Sequence, residues 1–521
     1  MQPSLGSAKP EVGGIGRARG AADHRYLWLS IVVLLLVAAQ TLNGHWSTDM
    51  WEHVAVVREL IAHPFDPAHP QVLSDATHPG FSPYTVLVGV LGNRLDVDAV
   101  TMLSWAAMAN VALLLAALRV LVIEVTENRR APFWALVFIL ALWGFEPYRY
   151  SGFFGLNSIG FVASYPSTFA TAIAFGTLVA AIRYARSGSR HLLLVVALGA
   201  ALVVLSHPLS APWLVLALMA VAIRWSLEPR SLLCLGTAAA VGLGLCLLWP
   251  YFPILGLIGD SSDLETLNRS MYDSVLKRVF PLLLGLPVVV RRLREDHRDL
   301  LGLWLLGSAG LYVVGAVTDN SSFGRALAFI VVVLVIAMAD GVARIEASGS
   351  VRAAGARTRV GAMVLGGLLV LGLVTARGGL VRMIPDPLLP ASIRGSDELI
   401  RPDEEYAFLR GFVGPREVVV GSKPAINRVI PAVAGRTLTL AVPRPFVDDA
   451  AQRKQAQKEL LDVTTSGARR SEINVRYHVR FMLLRAGAPG DRALRDVLVA
   501  DGAAEVYRDA RHVLVELPPA P

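Results

Sequence analysis

Apolar runs dominate the chain from residue 27 to residue 373, separated by short polar connections. Scanned at the roughly 20 residues a helix needs to cross a bilayer, they predict about eleven spans. The runs fall near 27–42, 99–125, 132–145, 159–181, 192–205, 211–223, 232–251, 279–290, 301–317, 327–338 and 360–373. Residues 81–91 are too short to cross and open with Phe-Ser-Pro-Tyr, which predicts a helix lying at the membrane interface. After residue 380 the pattern changes. "EVVVG", "RTLTLAV", "RFMLL" and "HVLVEL" read as strands, and "DDAAQRKQAQKELL" and "DRALRDVLVAD" as helices. Alternating elements of this kind predict a small α/β domain over 381–521. The expected fold class is therefore mostly α, a polytopic α-helical membrane protein with a small C-terminal α/β domain.

Composition agrees. The 521 residues are 54% hydrophobic and only 17% charged, more apolar surface than a soluble chain would bury. The net charge of +8 matters less than where the arginines sit. Arg17, Arg19 and Arg25 precede the first run, and Arg129 and Arg130, then Arg183, Arg186 and Arg190, then Arg224 and Arg230, then Arg291, Arg292, Arg294 and Arg298, then Arg344, Arg352, Arg357 and Arg359, occupy every second connection. The intervening connections are richer in Asp, His, aromatic residues and Pro. The positive-inside rule then puts the N-terminal tail (1–26, read as disordered) in the cytoplasm, and the first loop (44–98) outside. An odd number of spans in the region 27–380 leaves the C-terminal domain extracytoplasmic. Cys234 and Cys246 share one apolar run, so neither a disulfide framework nor a zinc site is expected. No glycine fingerprint for phosphates and no nucleophile elbow occurs, and no nucleic-acid partner is expected.

The first outer loop opens with "GHWSTDMWEHVAVVREL". Asp49 and Glu52 are three residues apart and share a face if this stretch is helical. A purely structural reading makes Asp49 an N-cap and Glu52 its capping-box partner. The chemical reading places two carboxylates against the membrane surface, within reach of a lipid-linked substrate. His45, His53, His63, His69 and His78 lie in the same loop, at intervals that match no compact metal motif. A hard divalent cation, Mg or Mn, is compatible with Asp49 or Glu52 plus a substrate phosphate. On the same expected side, "TDNSSFGRALAF" puts Arg325 at the mouth of a span, where a guanidinium either snorkels or meets an anion. Arg269, Lys277 and Arg278 run against the charge bias of their side, which also suggests an anionic partner. His207 breaks the apolar pattern ahead of Pro208, and "FEPYRYSGFFGLNS" adds Glu146, Tyr148, Arg149 and Tyr150.

These features resemble the GT-C superfamily of integral membrane glycosyltransferases. The resemblance rests on "TDMWEH" in the first outer loop, the juxtamembrane "HPGFSPYTVL", the many spans with short loops, and the "FLRGFVGPREVVVG" to "VIPAVAGRTLTL" stretch of the C-terminal domain. Asp49 and Glu52 are separated by two residues instead of adjacent, and no "WWD" signature occurs, which argues against protein N-glycosylation. The resemblance implies transfer of a hexosyl or pentosyl group from a polyprenyl-phosphate donor to an envelope glycan, lipid or protein on the outer face. It implies Asp49 as general base, with Glu52 orienting it, contacting the acceptor or sharing a cation. Arg325, Lys277 and Arg278 would hold the donor phosphate. Weaker substrate contacts fall to His53, His78, Tyr84, Glu146 and His207. The competing functions are a polyprenyl-lipid flippase or transporter, and a lipid-linked glycan ligase or polymerase. Reporter fusions after Arg130, Arg190 and Arg298 should read as cytoplasmic, and fusions near Asp66 and after Asp403 as external. A cytoplasmic signal near Asp66 would place the proposed base in the wrong compartment.

Overall fold

A computed structural model describes residues 24–46, 49–257, 268–348, 356–394, 401–441 and 446–519. Most of the expected N-terminal tail, and Thr48 of the "TDMWEH" motif, lie outside the described residues. The chain runs through α1 (His24–Asn43), α2 (Met50–Ala62), α3 (Pro83–Leu95), α4 (Ala99–Thr126), α5 (Ala131–Ala141), α6 (Leu156–Val162) and α7 (Pro166–Ser187). Next come α8 (His191–Ser206), α9 (Ala211–Arg224) and α10 (Pro229–Leu247). Helices Leu286–Glu295, Leu300–Val317, Leu327–Ala347, Ala356–Thr375 and Arg377–Met383 complete the apolar part. Among the described residues six helices are long and apolar enough to cross a membrane. Arg359–Thr375 and Arg377–Met383, bent by 60°, make a seventh if read as one span. The chain is a multi-pass membrane protein. Of the expected spans, those over 131–141, 191–206 and 208–224 are shorter helices.

Local chemistry sets the helix ends. The Asp98 carboxylate accepts from the backbone N–H groups of Val100 and Thr101 at the start of α4, and Asp299 accepts from Gly302 at the start of Leu300–Val317. The apolar run expected as one span over 159–181 is two helices, α6 and α7. Pro166 occupies the first turn of α7, where its missing N–H costs nothing, and the chain bends just before it. Likewise 279–290 divides into a 3₁₀ turn, Phe280–Gly285, and the helix that follows. Residues 24–26, assigned to the tail from sequence, already belong to α1, and Arg25 pairs with Glu346 at 2.8 Å.

Charges collect at the two ends of the bundle. At one end Arg183 and Arg186 hold Glu124, Arg224 holds Asp296, and Arg292 bridges Asp299 and the buried Asp340. The opposite end carries α2, α3 and a five-stranded sheet of order β2-β1-β3-β5-β4. Its strands are β1 (Val418–Gly421), β2 (Arg436–Thr437), β3 (Val479–Arg485), β4 (Ala504–Arg508) and β5 (His512–Glu516). β1 runs parallel to β2 and β3, while β5 is antiparallel to β3 and β4. Alternate side chains fill two cores. Val418, Val420, Met482 and Leu484 point to one face, and Val419, Phe481 and Leu483 to the other. Among the described residues of the expected strand "RTLTLAV", Arg436–Thr437 form the strand, and β4 and the helices Pro424–Val433 and Gly467–Tyr477 had no sequence-based expectation.

The sheet and the membrane helices are joined through α2 and the chain after it. Thr437 donates its backbone N–H to Gln71 O at 2.7 Å, and Val72 forms a parallel bridge to Thr437 beyond the edge of the sheet. Arg453 donates to Leu73 O at 3.0 Å, and Arg58 to Gly435 O at 3.2 Å. Beneath these contacts Arg436 pairs with Glu59, both buried. Removing one partner of a buried pair costs about 3–5 kcal/mol, because the other charge is left unmet. Glu59→Leu should therefore lower the melting temperature and expose the region beyond residue 401 to protease. Adding Arg436→Leu should recover most of the loss. If the double variant is no more stable than Glu59→Leu, the pair does not have this joining role.

Candidate functional site

A turn at Gly44 closes α1. Gly44 adopts a positive φ of 66°, and a Cβ there would stand 2.7 Å from Arg401 Nε. From this turn α2 runs with Met50, Trp51, Val54 and Val57 packed into the core. Asp49 occupies the N-cap position with φ −69° and ψ −10°, and its side chain makes no capping hydrogen bond. The carboxylate is 54% exposed, whereas that of Glu52 is 3% exposed. Burying Glu52 is costly unless a cation meets it. That cation comes from the C-terminal region. Arg428, on the helix Pro424–Val433, places Nη1 3.6 Å from Asp49 Oδ1 and Nε 3.6 Å from Glu52 Oε1.

Across from these carboxylates lies Arg325, in the 3₁₀ turn Ser321–Ala326. Its Nε donates to Asn268 Oδ1 at 2.8 Å, and its Nη1 to Ser151 O and Oγ at 2.8 and 3.1 Å. Its guanidinium carbon sits 5.7 Å from the centre of the Tyr150 ring. Asp49 is within electrostatic range of Arg325, and Arg325 and His53 are within range of His207. His207 Nδ1 is 2.8 Å from Ser210 Oγ, and the His53 ring meets Tyr165 edge-on at 4.6 Å. One end of the bundle thus gathers Asp49, Glu52, His53, His207 and Arg325, drawn from the first loop, the turn between α8 and α9 and the start of the span Ser321–Ala347. An exposed carboxylate within electrostatic range of a guanidinium held by Asn268 and Ser151 suits proton removal beside a developing phosphate charge.

The architecture that holds these residues has solved counterparts. Apo ArnT from Cupriavidus metallidurans matches with a TM-score of 0.54 at 13% identity, over 96% of this chain and 100% of that one. The same protein bound to undecaprenyl phosphate matches with a TM-score of 0.51 at 13% identity and the same coverage. The apo oligosaccharyltransferase from Archaeoglobus fulgidus gives 0.51 at 11% identity, over 89% of this chain and 70% of that one. The chain has the GT-C fold. No protein-family model and no curated protein matches its sequence.

Other residues singled out from the sequence have different surroundings in this GT-C fold. Arg278 and Glu146 pair at 3.6 Å and line a cavity of about 700 Å³ to which neither Asp49 nor Arg325 contributes. Lys277 is exposed and adjoins that cavity through its backbone oxygen, which accepts from Phe145 N at 2.9 Å. His78 is buried with its ring edge-on to His69, and its Nδ1 accepts from Gly80 N at 3.0 Å. Tyr84 is also buried, with its hydroxyl donating to Ser164 O at 2.5 Å and accepting from Asn110 at 3.0 Å. Among the described residues no group of three or more His, Cys, Asp or Glu side chains is placed to hold a metal ion. A cation at Asp49 or Glu52 would draw its remaining oxygens from substrate and water.

Arg428 was absent from the sequence-based candidates. It lies far along the chain from Asp49, and only the docking of the C-terminal sheet brings the two together. Because Asp49 caps nothing, Asp49→Ala should cost below about 0.5 kcal/mol, whereas loss of a working N-cap costs about 0.5–2 kcal/mol. Thermal unfolding of the purified protein measures the difference. A loss of 1 kcal/mol or more, on the scale of a lost cap, would return Asp49 to a structural role.

Proposed function

We propose that this chain is a membrane glycosyltransferase that moves a sugar from a polyprenyl-phosphate donor to an acceptor hydroxyl on the outer face of the membrane. The observation that carries the reading is Asp49, an exposed carboxylate with no capping bond, within electrostatic range of Arg325 at one mouth of a GT-C bundle. The undecaprenyl phosphate bound by ArnT, which shares the fold, supports a lipid phosphate as the donor's carrier. The gathering of arginines at the opposite end of the bundle supports an extracytoplasmic site.

In the proposed reaction Asp49 takes the proton from the acceptor hydroxyl as its oxygen bonds to the anomeric carbon. The bond from that carbon to the phosphate oxygen breaks, and the electron pair leaves with the polyprenyl phosphate. Phosphate is already a good leaving group, so the carboxylate is needed at the attacking side and no acid is required at the other. Arg325 meets the charge that grows on the phosphate, held in place by Asn268 and Ser151 so that it need not reorganise. Arg428 sits between Asp49 and Glu52 and offsets the repulsion between two neighbouring carboxylates.

The test is turnover of a polyprenyl-phosphate sugar in membranes holding matched amounts of each variant. Asp49→Asn keeps size and shape but cannot take a proton, and general-base removal costs about 10²–10⁴-fold in rate. Arg325→Lys keeps the charge and loses the fork, so it should raise the KM for the donor. Glu52→Gln should be milder than Asp49→Asn. Wild-type turnover in Asp49→Asn would exclude this residue as the base.

A further inference from the structure

The cavity lined by Phe145, Glu146, Arg149, Tyr150, Arg278 and Arg377 has no part in the reaction above. Three guanidinium groups and one carboxylate give it a net charge of +2. Arg278 is held by Glu146 and stacks over Tyr148 at 4.7 Å. Arg149 and Arg377 are exposed, and neither makes an ion pair or hydrogen bond among the described residues. The backbone is shaped to bring them here. Arg377 opens the short helix after the 60° bend, and Gly378 beside it leaves room for Arg149, since a Cβ there would stand 2.6 Å from Arg149 Nη2. Thr375 Oγ1 donates to Gly144 O at 3.0 Å and ties the bend to the loop that carries Arg149.

Tyr150 is the partition between this cavity and the candidate site. One side of its ring is near Arg325, and the residue also lines the cavity, with its hydroxyl 2.8 Å from Ser270 Oγ. The rim is apolar and exposed: Phe145 is 61% exposed, and Val374 on the bent span 57%. Val374, apolar and exposed on the membrane-spanning part of the bent pair, faces lipid, and Phe145 is exposed in the loop beside it. The cavity therefore meets the bilayer at its edge while holding cations inside.

We propose that this cavity is a second anion site, which takes the head group of a phosphomonoester lipid from the membrane, separate from the Arg325 side. A phosphomonoester carries about −1.5 to −2 charges near pH 7, matching the cavity, whereas a phosphodiester head carries a single charge. Guanidinium forks suit the three free oxygens of a monoester better than the two of a diester. The cavity volume is far larger than one phosphate needs, which leaves space for the first part of a lipid tail entering past Phe145. Among such lipids the polyprenyl monophosphate released by sugar transfer fits best. That choice rests on the proposed function, and the preference for a dianionic head does not.

The experiment measures binding, so it needs no turnover and would still report if the chain transferred no sugar. Full-length protein carrying Arg325→Gln, which weakens the first site, is placed in nanodiscs of zwitterionic lipid and titrated with undecaprenyl phosphate. Adding Arg149→Gln and Arg377→Gln should lower the affinity at least tenfold, and Arg149→Lys with Arg377→Lys should fall between. Both arginines are exposed, so the variants should keep the parent's melting temperature, and the lysine pair checks the result if the glutamine pair does not. Unchanged affinity in the glutamine and lysine pairs would overturn the site. Equal competition by phosphatidylglycerol would overturn the preference for a monoester. Inorganic phosphate binding as tightly as the lipid would overturn the membrane-facing role.

Discussion

A charged pair buried between α2 and the edge strand of the C-terminal sheet controls much of what happens at this end of the molecule. Glu59 and Arg436 are desolvated together, and each is tolerable only because the other is there. The pair fixes α2 against β2, and the bridge between Val72 and Thr437 continues the sheet into the first loop. Once α2 is fixed on that side, its first turn has one position, and Asp49 and Glu52 come to lie beneath Arg428. The C-terminal sheet is thus part of the frame that orients the carboxylates. It also hands a cation, Arg428, to the buried Glu52.

The sequence was most legible where one physical effect dominates. Apolar runs long enough to cross a bilayer announced α1, α4, α10 and the helices Leu300–Val317 and Ala356–Thr375, because in lipid only hydrogen-bonded helix is tolerated. The near-continuous apolar runs of β1, β3 and β5 were legible for a similar reason, as each buries both faces. Legibility failed where a second effect competes with the first. Pro166 divided a continuous apolar run, and a hydropathy window is blind to a missing N–H. The helix Pro424–Val433 carries prolines at its start and at Pro431, so its pattern suggests a loop although the fold makes it helical. Losing that helix from view meant losing Arg428. Strand β2 spans only Arg436–Thr437 among the described residues, and its outer edge meets the first loop at Val72, a pairing that no local pattern reveals.

For the candidate site the division is similar. Asp49, Glu52 and Arg325 stand out because a charge beside an apolar run needs a reason to be there. Their mutual placement, and the separation of Arg278 and Glu146 from them by Tyr150, depend on packing between segments distant in sequence. At the opposite end of the bundle the arginines make ion pairs that hold helices together. Arg292 neutralises the buried Asp340 and reaches Asp299, tying the helix Leu286–Glu295 to the starts and ends of two others.

The bridge between Val72 and Thr437 also has a consequence in time. α2 leaves the ribosome with the first membrane helix, whereas Arg428, Arg436 and Thr437 follow the last. Segments generally fold in the order of their synthesis. Until that later segment is made, then, Glu59 lacks its Arg436 partner and the first loop has no strand to pair with. A chain that stalls or is cut before the sheet has its membrane helices but lacks the contacts that set its carboxylates. The acidic turn at Asp49 is made long before Arg428, and it is finished only once that distant segment has been added.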